Sequence, residues 1–472
     1  MSSMSPIWTT ACPDWATRIV SKQSLMPCKP LFPKVADVAE RIFKELILVD
    51  VMGSPKMGDV TLEWVIEFVR AIFGAYDPST KRRLIREFFL LISKKNTKST
   101  IAAGIMLTAL ILNDRMSAEL ILLAPTKEVA DNSFNPIRDF IRADEELSER
   151  FNVSEHTKTV THLGTGATLK VIAAESNAAA GKKASIILID EVWLFGKRAN
   201  AESMFREAKG GLASRPEGCV IYLSTMSDEV PCGVFKQLLD YARDVRDGIK
   251  VDKSFLPLIY EFPKHLVEAG EHLKPENFYI TNPNLGASVD LEYLISEFNK
   301  VKDAGEESLR DFLAKHLNIE IGMNLRANRW AGAEFWNQQK HVFGLDQLIE
   351  QSDVITIGID GGGLDDLLEA GIPEESMFAV PQGYKLMSYI LTTERKLAEG
   401  NLFHAGQQLM TWAAGNARVV MVGNGMRITK QESGVGKIDP LIATFNAVAL
   451  MSLNPVAKNL DIDDYLEDVV IA

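Results

Sequence analysis

Between residues 85 and 224, short apolar runs alternate with stretches of helical spacing, and this alternation narrows the possible folds more than any other feature. The runs Ile85–Ile92, Glu119–Ala124, Leu169–Ala173, Ser185–Ile189 and Cys219–Ser224 have the length and composition of strands. Lys98–Leu112, Lys127–Ile141 and Ala201–Ala208 fall between them as helices. Strands separated by helices of about 10–15 residues predict a parallel sheet with crossover connections, an α/β fold.

The rest of the chain is read around that block. A length of 472 residues predicts two or three domains. Residues 1–60 form an N-terminal segment rich in proline, with one helix near Val35–Leu48. The sheet-forming domain is assigned to 61–240 and begins with helical spacing over Leu62–Phe73. Polar helices, including Leu291–Val301, and an Asn-Pro-Asn turn at Asn282–Asn284 mark 241–345 as a connector or lid. A further apolar strand, Val354–Ile359, opens a domain over 346–455 that closes with a helix, Pro440–Leu450. Residues 456–472 read as an acidic tail.

Composition excludes several classes. No apolar run reaches the roughly 18–20 residues that span a bilayer, and the start MSSMSPIWTTACPDW lacks the basic, apolar pattern of a signal peptide. An intracellular protein with no membrane partner is expected. Four scattered cysteines, Cys12, Cys28, Cys219 and Cys232, argue against a zinc site or disulfide framework. A net charge of −12 argues against a surface that coats nucleic acid throughout, and leaves local basic clusters at Lys81–Arg83, Lys182–Lys183 and Lys197–Arg198.

The chemistry is carried by two widely separated motifs. The first strand is followed by Ser93-Lys94-Lys95-Asn96-Thr97-Lys98-Ser99-Thr100. This is the end of a phosphate-binding loop, GxxxxGK[ST], with Ile92 and Thr97 at the two glycine positions. Lys98 at a helix start can pair with the β- and γ-phosphates, helped by the helix dipole and free N–H groups. Ser99 can offer its hydroxyl to Mg²⁺. The strand Ser185–Ile189 ends in Asp190-Glu191. Asp190 can hold the same ion through water, and Glu191 can polarise the attacking water. Lys94 and Lys95 add positive charge that can neutralise the γ-phosphate. Ser224-Thr225-Met226-Ser227 closes a neighbouring strand, where Thr225 can sense the γ-phosphate. Alone, Lys98-Ser99 would be a surface helix start and Asp190-Glu191 a turn. Together, on strand ends and in this order, they indicate nucleotide hydrolysis, in which positioning and charge stabilisation do most of the work.

Seven segments also resemble the large terminase subunit of tailed double-stranded-DNA bacteriophages. They are SKKNTKST (93–100), LLAPTKEVADNSF (122–134), IILIDEVW (186–193), IYLSTMSDE (221–229), TNPNLG (281–286), IGIDGGGLDD (357–366) and GKIDPLIATFNAVALMS (436–452), in family order over about residues 60–455. The resemblance implies a P-loop (ASCE-type) parallel sheet flanked by helices, followed by a smaller RNase H-like α/β nuclease domain. It implies an ATPase that translocates double-stranded DNA into a procapsid, with ATP and Mg²⁺ as cofactors. A small terminase subunit, a portal protein and a homo-oligomeric ring on the portal are the implied partners. The implied location is the host bacterial cytoplasm, outside the mature virion. By this likeness the nucleotide site comprises Lys95, Asn96, Thr97, Lys98, Ser99, Thr100, Asp190 and Thr225, with Glu191, Lys98 and Lys94 in catalysis. Lys94 falls where the family often has arginine. Trp64 stands at the family's adenine-side aromatic, but Val65 replaces the usual glutamine. Arg138, Arg142, Arg206 and Arg215 are candidates for an arginine reaching a neighbour's nucleotide.

The resemblance also implies nuclease chemistry through two Mg²⁺ or Mn²⁺ ions, with Asp360 and Asp439 matching the first and last carboxylate ligands. The chain departs from the family between these two. From Leu367 to Ala370 it passes directly to a run resembling the later part of the domain, as though several tens of residues and the middle ligand were absent. Asp365 or Asp366 could substitute. The expectation is a truncated nuclease domain with impaired cutting beside an intact ATPase. A helicase-like NTPase and a non-catalytic docking protein of a decayed prophage are the competing readings.

Overall fold

The computed structural model describes residues 6–174, 184–198, 200–321, 330–361, 367–368, 371–422, 425–429, 437–453 and 455. The chain divides into two compact units, Met1–Asn324 and Leu325–Ala472.

The first unit is built on a sheet. After a two-residue hairpin, β1 (Tyr76–Asp77) with β2 (Arg82–Arg83), come β3 (Glu87–Leu91), β4 (Glu119–Ala124), β5 (Phe151–Ser154), β6 (Thr159–His162), β7 (Thr168–Ala173), β8 (Ala184–Ile189), β9 (Cys219–Ser224) and β10 (Phe255–Ile259). Eight of these form one sheet in the order β10-β3-β9-β8-β4-β7-β6-β5. The pairs from β10 to β7 are parallel. Strands β5 and β6 extend the far edge antiparallel. The central strands are apolar without alternation because helices cover both faces. All six residues of β9 are buried.

The five strands expected from the apolar runs are present to within about two residues at each end. Three further strands of the sheet carry no such signal. β5 and β6 are short and mixed in polarity. β10 contains Pro257, which argues against a strand. It is tolerated because β10 is the edge strand, paired only with β3.

The helix Lys98–Ile111 after β3 is buried on nearly every side, as a helix apolar all round must be. Gly104 makes this possible: a Cβ there would lie 2.6 Å from Cε2 of Phe43 on the Pro33–Glu45 helix. The helix Gly233–Arg246 is tied to the segment after β10 by buried ion pairs. Glu261 receives both Arg243 (2.5 Å) and Arg246 (2.6 Å), and Arg243 also binds Glu320 (2.6 Å). Burial alone would raise the Glu261 carboxyl, but the two guanidinium groups hold it below its usual range. The helices Leu291–Ala304 and Glu306–Leu317 follow within the same unit.

The second unit has its own core, around Trp330, Trp336, Ile390, Leu397, Leu441 and Phe445. Its described strands are the antiparallel pair β11 (Arg418–Val422) and β12 (Gly425–Thr429). The last helix runs Asp439–Met451. The expected strand Val354–Ile359 is not one: it has no strand partner among the described residues. It lies instead along the last helix. Thr356 Oγ1 donates to Ala447 O (3.2 Å), and Asn446 Nδ2 donates to Ile359 O (2.8 Å). Gly358 allows this close approach, since a Cβ would fall 1.8 Å from Ala443 O. Ile355, Ile357 and Ile359 are left exposed. The expected acidic tail lies outside the described residues. No helix among the described residues is long and apolar enough to cross a membrane.

Candidate nucleotide site

Parallel pairing sends the ends of β3, β9 and β8 to one edge of the sheet, and the two motifs meet there. Lys98, the first residue of its helix, is buried, and its Nζ lies 3.4 Å from Glu191 Oε1. The loop reaches Lys98 through strained backbone. Lys95 (φ +73°) and Thr97 (φ +58°) both occupy the left-handed region. Thr97 therefore takes the conformation for which glycine is normally used, while Ile92, at the other glycine position, is ordinary core.

What holds a strained loop without glycines is a set of asparagines. Asn96 is fully buried. Its Nδ2 donates to Ser93 O (3.1 Å) and to Asn282 Oδ1 (2.9 Å), and its Oδ1 accepts the Asn284 amide (3.1 Å). Asn284 Nδ2 donates to Thr97 Oγ1 (3.1 Å), and its Oδ1 accepts the Trp64 indole N–H (2.8 Å). Trp64 packs edge-on against Tyr260, with ring centroids 5.5 Å apart. Val65 is buried in the core, so it presents no polar group where the family has glutamine.

Asp190 is fully buried at the end of β8. Its Oδ1 accepts the Glu191 amide (2.9 Å), and Ser133 Oγ lies 3.2 Å from its Oδ2. Burial pushes its carboxyl up from 3.8 to about 6, Glu191 adds to that, and Lys98 partly offsets it. A fully buried carboxylate with no cation in contact among the described residues is costly. A divalent ion would remove that cost, and Asp190 is the side chain here that could hold one.

Glu191 has φ +48°. Its Oε2 accepts the Trp193 indole N–H (2.7 Å) and the Thr225 hydroxyl (3.4 Å). Thr225 is thus brought to the site. Lys94 and Lys95 are exposed, and Ser99 and Thr100 are half-buried. The Lys94 amide donates to Lys315 O (2.8 Å), which fixes the loop to the Glu306–Leu317 helix.

Ser133, Trp193, Asn282, Asn284 and Asn318 join the site without having been expected there. Asn318 accepts the Met226 amide (3.0 Å) and donates to Tyr260 O (2.8 Å). Only the Asn-Pro-Asn turn offers a sequence signal, and it points to a turn. A separate cavity of about 730 Å³ opens at the opposite edge of the sheet, lined by Tyr76, Arg83, Leu112, Arg115 and Glu217, and takes no part in this chemistry.

Of the basic clusters, Lys81 and Arg82 are exposed, whereas the remaining described members are engaged. Arg83 is buried, Lys197 pairs with Asp228 and Glu229, and Arg198 donates to Pro125 O (2.6 Å). Lys182 and Lys183 lie outside the described residues. Of the candidate trans arginines, Arg138 and Arg142 pair with Glu155, and Arg206 pairs with Glu202 while remaining largely exposed. In the second unit, burial and the neighbouring Asp439 carboxylate raise the Asp360 carboxyl. No group of three acidic, His or Cys side chains fit for a metal occurs among the described residues. Asp365 and Asp366 lie outside them. This pair alone does not fit a two-metal centre.

The interposed strand β9, between β3, which leads into the Lys98 loop, and β8, which leads into Asp190-Glu191, together with the Lys98–Glu191 pair, defines a P-loop ATPase fold of the ASCE type. Residues 63–244 match the family described as terminase large subunit, ATPase domain. Over that span the chain is similar to the ATPase domain of large terminase subunits. The crystal structure of the HK97 bacteriophage large terminase shares the fold, at 15% identity and a TM-score of 0.53, over 88% of this chain and 99% of that one. The Thermus phage P74-26 large terminase ATPase domain is also similar (14% identity, 51% and 92% covered, TM-score 0.33). So is the large terminase of a thermophilic bacteriophage in complex with ATP-gamma-S (12%, 79% and 94%, TM-score 0.33). Comparison with curated protein sequences finds no match.

Proposed function

We propose that this chain is the ATP-driven motor subunit of a phage terminase, coupling ATP hydrolysis to the movement of double-stranded DNA into a procapsid. The observation that carries the reading is the approach of Lys98 to Glu191 beside the buried Asp190. In the proposed cycle Lys98 leaves Glu191 for the β- and γ-phosphates, which the first turn of its helix also attracts. Oε1 of Glu191 is then free to accept a proton from the attacking water. Magnesium, held by Ser99 and Asp190, would neutralise phosphate charge. Thr225 contacts Glu191 and is followed by Met226, whose amide is held by Asn318. A change at the γ-phosphate can therefore reach the connector helices. Lys94 and Lys95 line the loop as further positive charge.

The family likeness supports a ring of copies on a portal, a small terminase subunit as partner, duplex DNA held through phosphates, and action in the host cytoplasm. The DNA-cleaving domain is proposed to be impaired, because Asp360 and Asp439 approach each other without a third ligand among the described residues.

The test is steady-state ATP hydrolysis with and without duplex DNA. DNA-stimulated turnover that Lys98→Ala abolishes is expected. A wild-type protein that hydrolyses no ATP with DNA present overturns the motor in favour of a docking role. For the second unit, Mn²⁺-dependent plasmid cutting that Asp360→Ala removes would refute the impairment.

A further inference from the structure

We infer that Trp193 is the positioning residue for the water-activating carboxylate: its indole N–H fixes Glu191 Oε2 so that Oε1 alone faces the nucleotide loop. The inference rests on the ATPase reading and adds a device to it. The two oxygens of Glu191 have different neighbours. Oε2 takes two donors, Trp193 Nε1 at 2.7 Å and Thr225 Oγ1 at 3.4 Å, whereas Oε1 meets only Lys98 Nζ, at 3.4 Å, among the described residues. When Lys98 turns to a phosphate, Oε1 loses its partner and Oε2 does not. The terminal torsion of a glutamate is broad and roughly two-fold, so a carboxylate released at both oxygens would not keep one lone pair on the water. An anchor on one oxygen fixes the plane.

The backbone explains why a tryptophan two residues along can reach back. Glu191 (φ +48°) caps the short helix Val192–Phe195, and this left-handed turn lays the indole of Trp193 over the preceding carboxylate. The Trp193 amide is itself held by Ser224 Oγ (3.1 Å) at the end of β9. Lys197 lies 5.6 Å from the ring centroid and pairs with Asp228 (3.3 Å) and Glu229 (3.0 Å). Asp228 also binds Lys315 of the Glu306–Leu317 helix (3.2 Å). The anchor is therefore set by the same loop that carries Thr225, and that loop is tied to the connector.

The experiment compares wild type with Trp193→Phe, which keeps a ring and removes the donor. A second variant carries β-(3-benzothienyl)alanine at position 193, an isostere in which sulfur replaces the indole N–H. Turnover is measured with DNA, and binding with a fluorescent ATP analogue. Misplacing a reacting group by about 1 Å can cost on the order of 100-fold. The expected result is a fall in kcat of about 10- to 100-fold in both variants, with KM and analogue affinity within about twofold of wild type. Retention of wild-type kcat in the isostere overturns the inference, as does a loss of kcat matched by an equal loss of binding, which would mark a structural role. Absence of turnover in the wild type itself is a different failure, that of the ATPase reading.

Discussion

At the scale of single residues, the site sets stability against chemistry. Asp190 is the clearest case: a carboxylate wholly out of water, flanked by Glu191 and offset only in part by Lys98. Its carboxyl is raised in the folded chain, so the folded state binds this proton more tightly than the unfolded state does. The penalty is absent below about pH 4, grows as pH rises through about 6, and is fully present at neutrality. A shift from 3.8 to about 6 bounds that penalty at about 3 kcal/mol. Asp190→Asn is therefore expected to raise the melting temperature of the nucleotide-free protein at about pH 7.5 by a few degrees. The gain should fall to about a third of that near about pH 4.5, and ATP turnover should be lost at both. Thermal melts of the two proteins across that range check it. An equal gain at both pH values would mean that the carboxylate is not the source.

At the scale of elements, the phosphate loop is held from outside. Glycines let an ordinary loop of this kind bend without cost. Here Thr97 and Lys95 are bent the same way at a cost on the order of 1 kcal/mol each, and the Asn-Pro-Asn turn keeps them there. Asn282 is central: its Oδ1 accepts from Asn96, and its Nδ2 donates to Phe278 O (2.9 Å) and His316 O (2.8 Å). Asn282→Ala would leave several buried polar groups unpaired, at about 1–3 kcal/mol for each. A loss of about 2–4 kcal/mol is expected in urea denaturation, together with weaker nucleotide binding. The same contrast explains what was legible in the sequence. The strands β3, β4, β7, β8 and β9 were readable because burial on both faces forces continuous apolar runs. The lysine and the acid pair were readable because each must sit at a strand end. Asn282, Ser133 and Trp193 were not, since a hydrogen bond between distant segments imposes no spacing on either. Val354–Ile359 misled for the converse reason: apolar, β-branched sequence dictates an extended backbone, but only a partner makes it a strand.

At the scale of the whole molecule, the two units carry separate cores. The first holds an eight-stranded sheet with helices on both faces. The described part of the second has one strand pair and a segment, Val354–Ile359, with no strand partner among the described residues and three exposed isoleucines along it. The cores share no residue: those of the first unit end at Ile319 and that of the second begins at Trp330. Chains with separate cores commonly depart from a single two-state transition. Calorimetry is expected to resolve two transitions, the lower belonging to the second unit. A ligand stabilises only the state it binds, by about 2.7 kcal/mol at a hundredfold excess over Kd. A non-hydrolysable ATP analogue with Mg²⁺ should therefore move the upper transition by a few degrees and leave the lower one in place, and Lys98→Ala should remove the shift. A single cooperative transition, or one in which the analogue moves both steps together, would mean that the nucleotide site and the second unit are energetically one body. Proteolysis between the steps gives an independent check. At a temperature between the two midpoints, a protease should degrade the chain beyond about residue 330 and spare the sheet. The surviving fragment should still bind the analogue, because every residue placed at the nucleotide site lies before residue 320.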